Sequence, residues 1–360
     1  MTTATTATTP QPAKDFYREF SAGNGRKRYL FGINEYSTHI AGVMEVDGFI
    51  DDFSTRQSWL GRPVLKFADI ERDCMVVSCV TSNYTHTVMD KLQAGGIGAY
   101  ISYIAFADAS AGVLPQVREI VDTREDHALH ADKYAWVREL LTDAESQNVF
   151  DRLLAFRLNG DIDAMRHFEY AAERQYFEPF AKLEPGEVFV DGGGFDGFTS
   201  LEFAARCPQY GAIHLFEPGA AMLAVAREKL SGMERVEFHP LGLYDRATSL
   251  GFDAGAGSAS HISESGSERI EVARMDDIVT DAVSFIKLDL EGAEPAALRG
   301  MARHIASDHP KLAVAVYHRA SDFWTIPEYV LGVRDDYQVY LRHYTEGWAE
   351  TVMFFIPKRV

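Results

Sequence analysis

Cysteine is scarce in this sequence, which has three among its 360 residues: Cys74, Cys79 and Cys207. No two of them have the C-x-x-C spacing, and an odd number cannot all pair with one another. This pattern excludes a cysteine zinc knuckle. It suits a reducing compartment, so we expect a cytoplasmic protein.

Basic residues and long apolar runs are also lacking. The chain has 35 Lys and Arg against 53 Asp and Glu, a formal net charge of −18. Phosphate binding needs clustered basic residues, so we expect no nucleic-acid or anionic-membrane partner. No apolar run approaches the roughly 20 residues of a membrane span. The first dozen residues lack the basic start and apolar stretch of a signal peptide, and residues 1–25 read as a disordered tail.

The most informative segment that is present runs from Val188 to Gly197, where an apolar strand enters a glycine-rich loop. Its glycines satisfy G-x-G-x-x-G, which is typical of a strand–turn–helix that binds a nucleotide. Two carboxylates in the loop would repel a dinucleotide pyrophosphate but attract an ammonium and a sulfonium. The loop therefore predicts S-adenosylmethionine as cofactor, with NAD as the alternative. The predicted cofactor-binding residues here are Asp191, Gly192, Gly193, Gly194, Phe195, Asp196 and Gly197.

A second set of predicted cofactor residues follows the next two strands. Glu217-Pro218 ends the strand 212–216, where a carboxylate can accept bonds from both ribose hydroxyls. Glu217 lies 26 positions after Asp191, close to the roughly 20 expected. A solvated helix cap is the alternative for Glu217. Gly242 and Leu243, after the third strand, are expected to border the adenine ring.

The predicted chemistry lies after the strand that begins at Val283. Lys287, Asp289, Glu291 and Glu294 follow it, and the carboxyl ends of parallel strands face the ligand crevice. The next strand ends at His318, beside Tyr317, at the same edge. We predict His318 as general base oriented by Asp289, with Glu291 nearby.

Other interpretations of these residues stay open. Asp289, Glu291 and His318 could instead hold a divalent metal, although the metal-free version is favoured. Glu294 could merely complement a helix dipole, and His318 could be a structural histidine.

Five motifs between about residue 176 and residue 357 resemble those of FkbM-family methyltransferases. They are 190–194 (VDGGG), 216–218 (FEP), 275–278 (MDDI), 286–294 (IKLDLEGAE) and the run from 317–318 (YH) to 350–353 (ETVM). The family often has Asn in the loop where Gly194 and Phe195 stand here. The resemblance implies S-adenosylmethionine-dependent O-methylation, often of a sugar or polyketide hydroxyl.

The predicted fold class is α/β: a Rossmann-like methyltransferase sheet ending in an antiparallel hairpin, strands 337–343 and 351–356. A smaller Rossmann-like α/β domain and a helical bridge precede it, and the length leaves room for two such domains. The expected division is a tail at 1–25, the small domain at 26–110, the bridge at 111–180 and the methyltransferase domain at 181–360.

The small domain shows a βαβ rhythm and resembles the nucleotide-binding N-terminal domain of sugar-modifying enzymes. Gly32 has no second or third glycine after it, so NAD is not expected there. A nucleotide-sugar site with Gly32, Asp51 and Asp52 competes with a structural or dimerising role.

Helical spacing in the bridge predicts helices at 133–144, 144–157 and 162–173. Arg157, Tyr176 and Phe177 could line a substrate mouth, although core packing is the more common role of such residues. Residues 253–267 have few bulky side chains and read as a mobile loop that closes over substrate, or as a plain linker without a role for Ser258, Ser260 and His261.

Three functions therefore compete. The first is an O-methyltransferase acting on a carbohydrate or glycosylated metabolite. The second is an NAD-dependent sugar oxidoreductase, and the third is a non-catalytic protein that binds a nucleotide sugar. A homo-oligomer is left open.

Overall fold

The computed structural model describes residues 11–23, 25–253, 261–262 and 268–358. By its internal contacts the chain forms two compact units. The first comprises residues 1–126, 151–170 and 345–349, and the second comprises 127–150, 171–344 and 350–360. The four-part division expected from the sequence stays a prediction.

The first unit is built on a mainly parallel sheet. Its elements in chain order are α1 (Gln11–Ala22), β1 (Lys27–Phe31), α2 (Glu35–Val43), β2 (Gly48–Ile50), β3 (Ser58–Trp59), β4 (Arg62–Leu65), β5 (Cys74–Ser78), α3 (Thr85–Ala94), β6 (Ala99–Ser102) and α4 (Tyr103–Ala109). The strand order is β3-β4-β2-β1-β5-β6, with only β3 and β4 antiparallel. The predicted small Rossmann-like sheet is confirmed.

Helix α1 falls within the segment that the sequence predicted as a disordered tail. That prediction is wrong for residues 11–22, because two of the helix's phenylalanines pack on α4. Phe20 is fully buried, and its ring centroid lies 5.2 Å from that of Phe106. Phe16 meets the same ring edge-on at 6.1 Å. Residues 1–10 of the predicted tail lie outside the described residues.

Helical segments α5 (Arg118–Leu140) and α6 (Ala144–Asn159) confirm a helical bridge, and α5 is kinked at His130, where the backbone is not helical. The helix predicted at 162–173 does not form. Only Ile162–Met165 makes a 3-10 turn, and the Phe168 amide bonds the Met165 carbonyl three residues back. The Ala171 amide bonds the Tyr344 carbonyl instead of a carbonyl of its own segment. These non-helical partners explain why the apolar spacing did not produce a helix.

The second unit contains the larger sheet and the site. Its further elements in chain order are β7 (Val188–Gly192), α7 (Phe198–Arg206), β8 (Ala212–Phe216), α8 (Ala220–Lys229), β9 (Val236–His239), β10 (Gly242–Leu243), β11 (Thr248–Asp253), β12 (His261–Ile262), β13 (Glu268–Ala273), α9 (Met275–Ile278), β14 (Phe285–Leu288), α10 (Glu294–Arg299), α11 (Ala302–Ser307), β15 (Lys311–Ala315), α12 (Asp322–Val333), β16 (Tyr337–His343) and β17 (Thr351–Pro357).

Seven strands form this sheet in the order β16-β17-β15-β14-β7-β8-β9. The five strands from β15 to β9 are parallel, and β17 pairs antiparallel with both β15 and β16. The predicted Rossmann-like sheet with its antiparallel hairpin is thus confirmed. Strands β7 and β14 are neighbours near the centre, so their carboxyl ends emerge side by side.

Apolar residues on β7, α7 and β14 form much of the core behind the site. The rings of Phe189 and Phe203 stack with centroids 4.3 Å apart, and Phe285 lies 5.3 Å from Phe189. Phe177 packs against all three rings, so the core interpretation of that residue is correct. The three cysteines are buried as free thiols.

A four-stranded sheet, β10-β13-β11-β12, was not expected from the sequence. Strands β11 and β13 pair antiparallel from Thr248 to Phe252. Of the predicted mobile loop, residues 254–260 and 263–267 lie outside the described residues, including Ser258 and Ser260. His261 lies in β12. Among the described helices, none combines the length and apolar character needed to cross a membrane.

Candidate active site

The candidate site lies at the carboxyl edge of four adjacent parallel strands, β8, β7, β14 and β15. The glycine loop follows β7, Glu217 follows β8, and the acidic segment from Asp289 follows β14. His318 comes three residues after β15. Because these strands run in the same direction, their ends lie at one edge, and ligands of open α/β sheets bind at that edge.

The glycine loop is shaped by contacts with the protein itself. Gly193 has φ +73°, and a Cβ added there would lie 2.0 Å from the Asp289 carbonyl oxygen. A Cβ at Gly194 would lie 2.4 Å from the Leu215 side chain, and one at Gly192 would lie 2.8 Å from Leu288. The sequence attributed these glycines to the approach of a ligand. The close approach of β14 and β8 already requires them.

Asp191 and Lys287 form a buried ion pair under this loop. The Lys287 Nζ lies 3.2 Å from Asp191 Oδ1, and it donates to the carbonyls of Gly192 and Gly193 at 3.1 and 2.7 Å. Asp191 Oδ2 accepts from the Ser200 hydroxyl at 2.7 Å. Asp191 has no exposed surface, so this arrangement does not place it where a ligand ammonium could contact it. Its role here is to hold the loop.

Glu217 stands where the sequence predicted the ribose-binding acid. Its two carboxylate oxygens accept from the Phe195 amide at 3.0 Å and from the Gly219 amide at 2.7 Å. Burial raises the pKa of Glu217 despite these two donors. Each oxygen keeps a lone pair, so the carboxylate can still accept bonds from ligand hydroxyls. Glu217 is not the solvated helix cap of the alternative interpretation, because it is buried and no side chain caps α8; the ribose role stays a prediction.

The remaining predicted cofactor residues surround the same loop. Asp196 accepts from the Phe198 amide at the start of α7 and pairs with Lys229. Gly197 has φ +81°, and a Cβ there would lie 3.2 Å from Ala226 on α8. Leu243 is buried, and its Cδ1 would lie 3.0 Å from a Cβ at Gly192. Pro218 lies near Gly242, whose added Cβ would be 3.9 Å from its ring.

His318 is surrounded by three carboxylates. Its Nε2 lies 3.4 Å from Asp289 Oδ1 and 3.3 Å from Glu291 Oε2, and its Nδ1 lies 2.9 Å from Glu294 Oε1. These are ion-pair distances, because neither ring nitrogen has the alignment of a normal hydrogen bond. The structure therefore brings together the three residues predicted to be catalytic, and adds Glu294. Glu294 is fully buried and also accepts from the Leu290 amide at 2.6 Å, so it does more than complement the dipole of α10.

The charge state of His318 follows from these neighbours. Burial alone would lower the pKa of His318, but the surrounding carboxylates outweigh it and raise that pKa well above its usual range. The ring is then an imidazolium at neutral pH and has no lone pair to accept a proton. This charge state argues against His318 as the general base that the sequence suggested.

Two tyrosines and a glutamate extend the cluster. The Tyr176 hydroxyl donates to Asp289 Oδ2 at 2.7 Å, and the Tyr317 hydroxyl lies 3.3 Å from Asp289 Oδ1. Tyr317 also lies 3.5 Å from Glu350, which accepts from the Gln175 amide. Burial raises the pKa of both tyrosines well above their usual range, so they remain donors. Tyr176 is buried in the core, which agrees with the core interpretation of this residue, and its hydroxyl contacts Asp289.

Sequence reasoning missed three of the acids and amides near this cluster: Gln175, Asp322 and Glu350. Burial raises the pKa of Asp322 and of Glu350 to about 7 in each case, because nearby carboxylates add to the desolvation. Asp322 begins α12 and accepts from the Arg319 amide at 2.9 Å. Glu350 could have been found, since it opens the run 350–353 that carried the family resemblance.

A divalent cation would fit part of the cluster. Asp289, Glu291 and His318 each offer one ligand atom, and these atoms all lie within 4.8 Å of one another. Carboxylate oxygens and an imidazole nitrogen are suitable donors for such an ion. The imidazolium already supplies positive charge at the same place.

Several other residues that the sequence singled out lie in the first unit and make contacts within it. Arg157 is buried, and its guanidinium donates to the Trp348 carbonyl at 2.8 Å, so it does not offer an open surface to a substrate. Asp51 accepts from the Phe53 and Ser54 amides, while Asp52 accepts from the Phe67 amide and pairs with Lys91. Gly32 has φ +96° beside Val80. A nucleotide-sugar site there stays a prediction.

Comparison with known proteins shows what the segment that holds the site is similar to. The family described as the Methyltransferase FkbM domain matches residues 191–345. The crystal structure of methyltransferase FkbM from Methylobacillus flagellatus KT has a TM-score of 0.76 and 22% identity, covering 97% of this chain and 94% of that one. This likeness shows a shared fold.

A second solved structure, an rRNA methylase from Streptococcus thermophilus, has a TM-score of 0.34 and 14% identity, covering 49% of this chain and 90% of that one. A likeness of this degree supports no inference. No curated protein sequence matched the chain. The segment that matches the FkbM methyltransferase domain, residues 191–345, spans the glycine loop, Glu217 and the His318 cluster.

Proposed function

We propose that this protein is an S-adenosylmethionine-dependent O-methyltransferase acting on a hydroxyl of a carbohydrate or glycosylated metabolite. The observation that carries the proposal is the His318 cluster at the same sheet edge as the glycine loop. In this proposal the glycine loop binds the charged nucleoside cofactor, and the neighbouring His318 cluster serves proton transfer.

The residues of the loop fit the cofactor. Glu217 offers acceptor lone pairs for the ribose hydroxyls, and Gly192 to Gly194 bring backbone close to the crevice. Gly242 and Leu243 stand beside the loop for the adenine. When bound, S-adenosylmethionine supplies a methyl group on a positively charged sulfur, which keeps the carbon–sulfur electrons when the methyl passes to the acceptor oxygen.

Within the cluster, Glu291 is the carboxylate best placed to accept the hydroxyl proton. Asp289 already accepts from two tyrosines, and Glu294 is fully buried. A quarter of the Glu291 side chain is exposed, and its backbone is held at φ +50°, a conformation uncommon for this residue type. The proton of the acceptor hydroxyl passes to Glu291 as the oxygen–methyl bond forms.

His318 and Asp289 position this base. The imidazolium lies 3.3 Å from Glu291 and stabilises negative charge that develops on the acceptor oxygen. Asp289, held by the hydroxyls of Tyr176 and Tyr317, lies beside the same ring nitrogen, Nε2, while Glu294 faces Nδ1 on the other side of the ring. Because the imidazolium supplies the positive charge that a metal would bring, we favour a mechanism of methyl transfer without a metal.

A sugar-like acceptor is supported by the polarity of the cluster and by the family resemblance. Carboxylates and tyrosine hydroxyls at the crevice edge suit hydrogen bonding to several hydroxyls at once. The cytoplasmic location and the lack of a nucleic-acid partner remain predictions from composition, and a homo-oligomer stays open.

The test is a parallel binding and turnover experiment. A ligand that binds only the native state raises the melting temperature by mass action, so S-adenosylhomocysteine, NAD and nucleotide sugars should be compared. We expect stabilisation by S-adenosylhomocysteine, and methylated product from a panel of glycosides by mass spectrometry. Stabilisation by NAD alone would overturn the proposal in favour of an oxidoreductase.

A further inference from the structure

A second histidine cluster lies on β8 and β9, in residues to which the proposed mechanism assigns no role. The register pairs His214 with Glu237 and Phe216 with His239. Alternate residues of a strand point to the same face, and directly paired residues of neighbouring strands share it. The two histidines and Glu237 therefore lie together on one face of the sheet.

Their polar atoms converge on a small volume. His214 Nδ1 lies 3.2 Å from His239 Nε2 and 3.5 Å from Glu237 Oε2. The three ligand atoms lie within 4.8 Å of one another. His214 is almost fully buried, whereas the Glu237 side chain is 62% exposed, so an ion has a route from solvent.

A fourth residue fixes the orientation of the central ring. Asp281 Oδ2 lies 3.1 Å from His214 Nε2. An ionised carboxylate only accepts hydrogen bonds, so this contact places the proton of the neutral ring on Nε2. The lone pair of Nδ1 then points toward His239 and Glu237. A carboxylate behind a ligating histidine is the usual outer-shell arrangement of a metal site.

We propose that His214 Nδ1, His239 Nε2 and Glu237 bind a divalent first-row transition ion such as Zn²⁺, with Asp281 orienting His214. Two imidazoles and one carboxylate suit Zn²⁺ or Ni²⁺, whereas Mg²⁺ and Ca²⁺ prefer oxygen ligands alone. Without an ion, His239 donates its Nε2 proton to His214 Nδ1. Binding replaces that hydrogen bond with coordination and moves the His239 proton to Nδ1.

The experiment titrates ZnCl₂ into the full chain after chelator treatment, by calorimetry and thermal shift, with MgCl₂ in parallel. We expect Zn²⁺ to raise the melting temperature at concentrations where Mg²⁺ does not. Glu237→Gln and His239→Ala should each weaken Zn²⁺ binding about tenfold or more, and Asp281→Asn by about 10–100-fold. Glu237 is exposed, so its variant should fold even if His239→Ala does not.

The control variants are His318→Ala, which alters the other histidine–carboxylate cluster, and Glu228→Gln, which alters an exposed glutamate of α8. Both should retain the Zn²⁺ effect. The proposal would be overturned if His318→Ala lost Zn²⁺ binding while Glu237→Gln and His239→Ala retained it. It would also be overturned if the wild-type chain bound no Zn²⁺.

Discussion

The ammonium of Lys287 lies 3.2 Å from the carboxylate of Asp191, and both side chains are almost completely buried. The register of β7 and β14 pairs these two residues directly. Since the same ammonium bonds two carbonyls of the glycine loop, one ion pair ties the central strands to the proposed cofactor site.

Removing one partner should therefore be costly. Lys287→Met leaves the Asp191 carboxylate buried without its cation, and such a loss typically destabilises a protein by about 3–5 kcal/mol. Denaturant unfolding measures it. Lys229→Met is the matched control, because it breaks the partly exposed pair with Asp196, worth about 1 kcal/mol or less. Similar losses in the two variants would contradict the structural role of Lys287.

Gly193→Ala tests why the loop contains glycine. The added Cβ would overlap the Asp289 carbonyl, and the positive φ strains any other residue. Gly186→Ala is the control, because Gly186 has φ +91° but open space around its Cβ position. Both variants pay about 1 kcal/mol for the backbone conformation. Gly193→Ala should in addition lose S-adenosylhomocysteine binding in calorimetry. Equal binding by the two variants would show that the close contact of Gly193 with the Asp289 carbonyl does not matter for the cofactor site.

Glu217→Ala tests the ribose acid. Losing a hydrogen bond to a charged group costs about 1.5–3 kcal/mol, so affinity for S-adenosylmethionine should fall on the order of tenfold or more. Calorimetry measures the affinity, and Glu228→Ala on the exposed face of α8 serves as control. If affinity is unchanged, Glu217 does not bind the ribose.

Glu291→Gln tests the proposed base. The amide cannot accept the proton, so turnover should fall by about 10²–10⁴-fold while the affinity for S-adenosylhomocysteine changes little. His318→Ala should also lower turnover far more than cofactor binding, because it removes the imidazolium. Full activity of Glu291→Gln would exclude it as the base. Activity should persist in excess EDTA, and this result would exclude an essential labile metal in the cluster.

Asp322→Asn tests the electrostatic cost of the cluster. Burial raises the pKa of Asp322 in the folded protein to about 7, above its ordinary value of 3.8. Ionising this acid therefore destabilises the fold progressively as the pH rises from about 4 through 7. The stability advantage of Asp322→Asn over wild type should grow by about 2 kcal/mol between pH 5.5 and pH 8. Asp335→Asn, at an exposed position, should show no such growth in denaturant unfolding.

The main strands were predictable because each is a short apolar run between turn residues. Strand Ala212–Phe216, for example, has the bounds that the sequence indicated. Strands β11 and β13 were missed, because their sequences mix glycine, serine and charged residues without a clear apolar run. Local patterns also gave no reason to expect α1 to order, since its partner Phe106 lies far along the chain.

The sequence predicted where the candidate site lies, but it did not predict the hydrogen bonds and ion pairs between the residues of the site. Tyr176 and Asp289 are separated by 113 positions, and no spacing rule predicts their hydrogen bond. The protonation of His318 likewise depends on Glu294, whose side chain turns back beneath the ring. Roles that depend on such long-range neighbours require the folded structure.

The division of the chain also constrains how the protein can be synthesised and dissected. The polypeptide passes from one unit to the other at 126–127, 150–151, 170–171, 344–345 and 349–350. A nascent chain cannot complete the first unit until residues 345–349 have left the ribosome, although that unit begins at the amino terminus. In domains that are continuous in sequence, by contrast, all contacts of the amino-terminal unit can form before the next unit is synthesised. No single cut in the gene yields either unit intact.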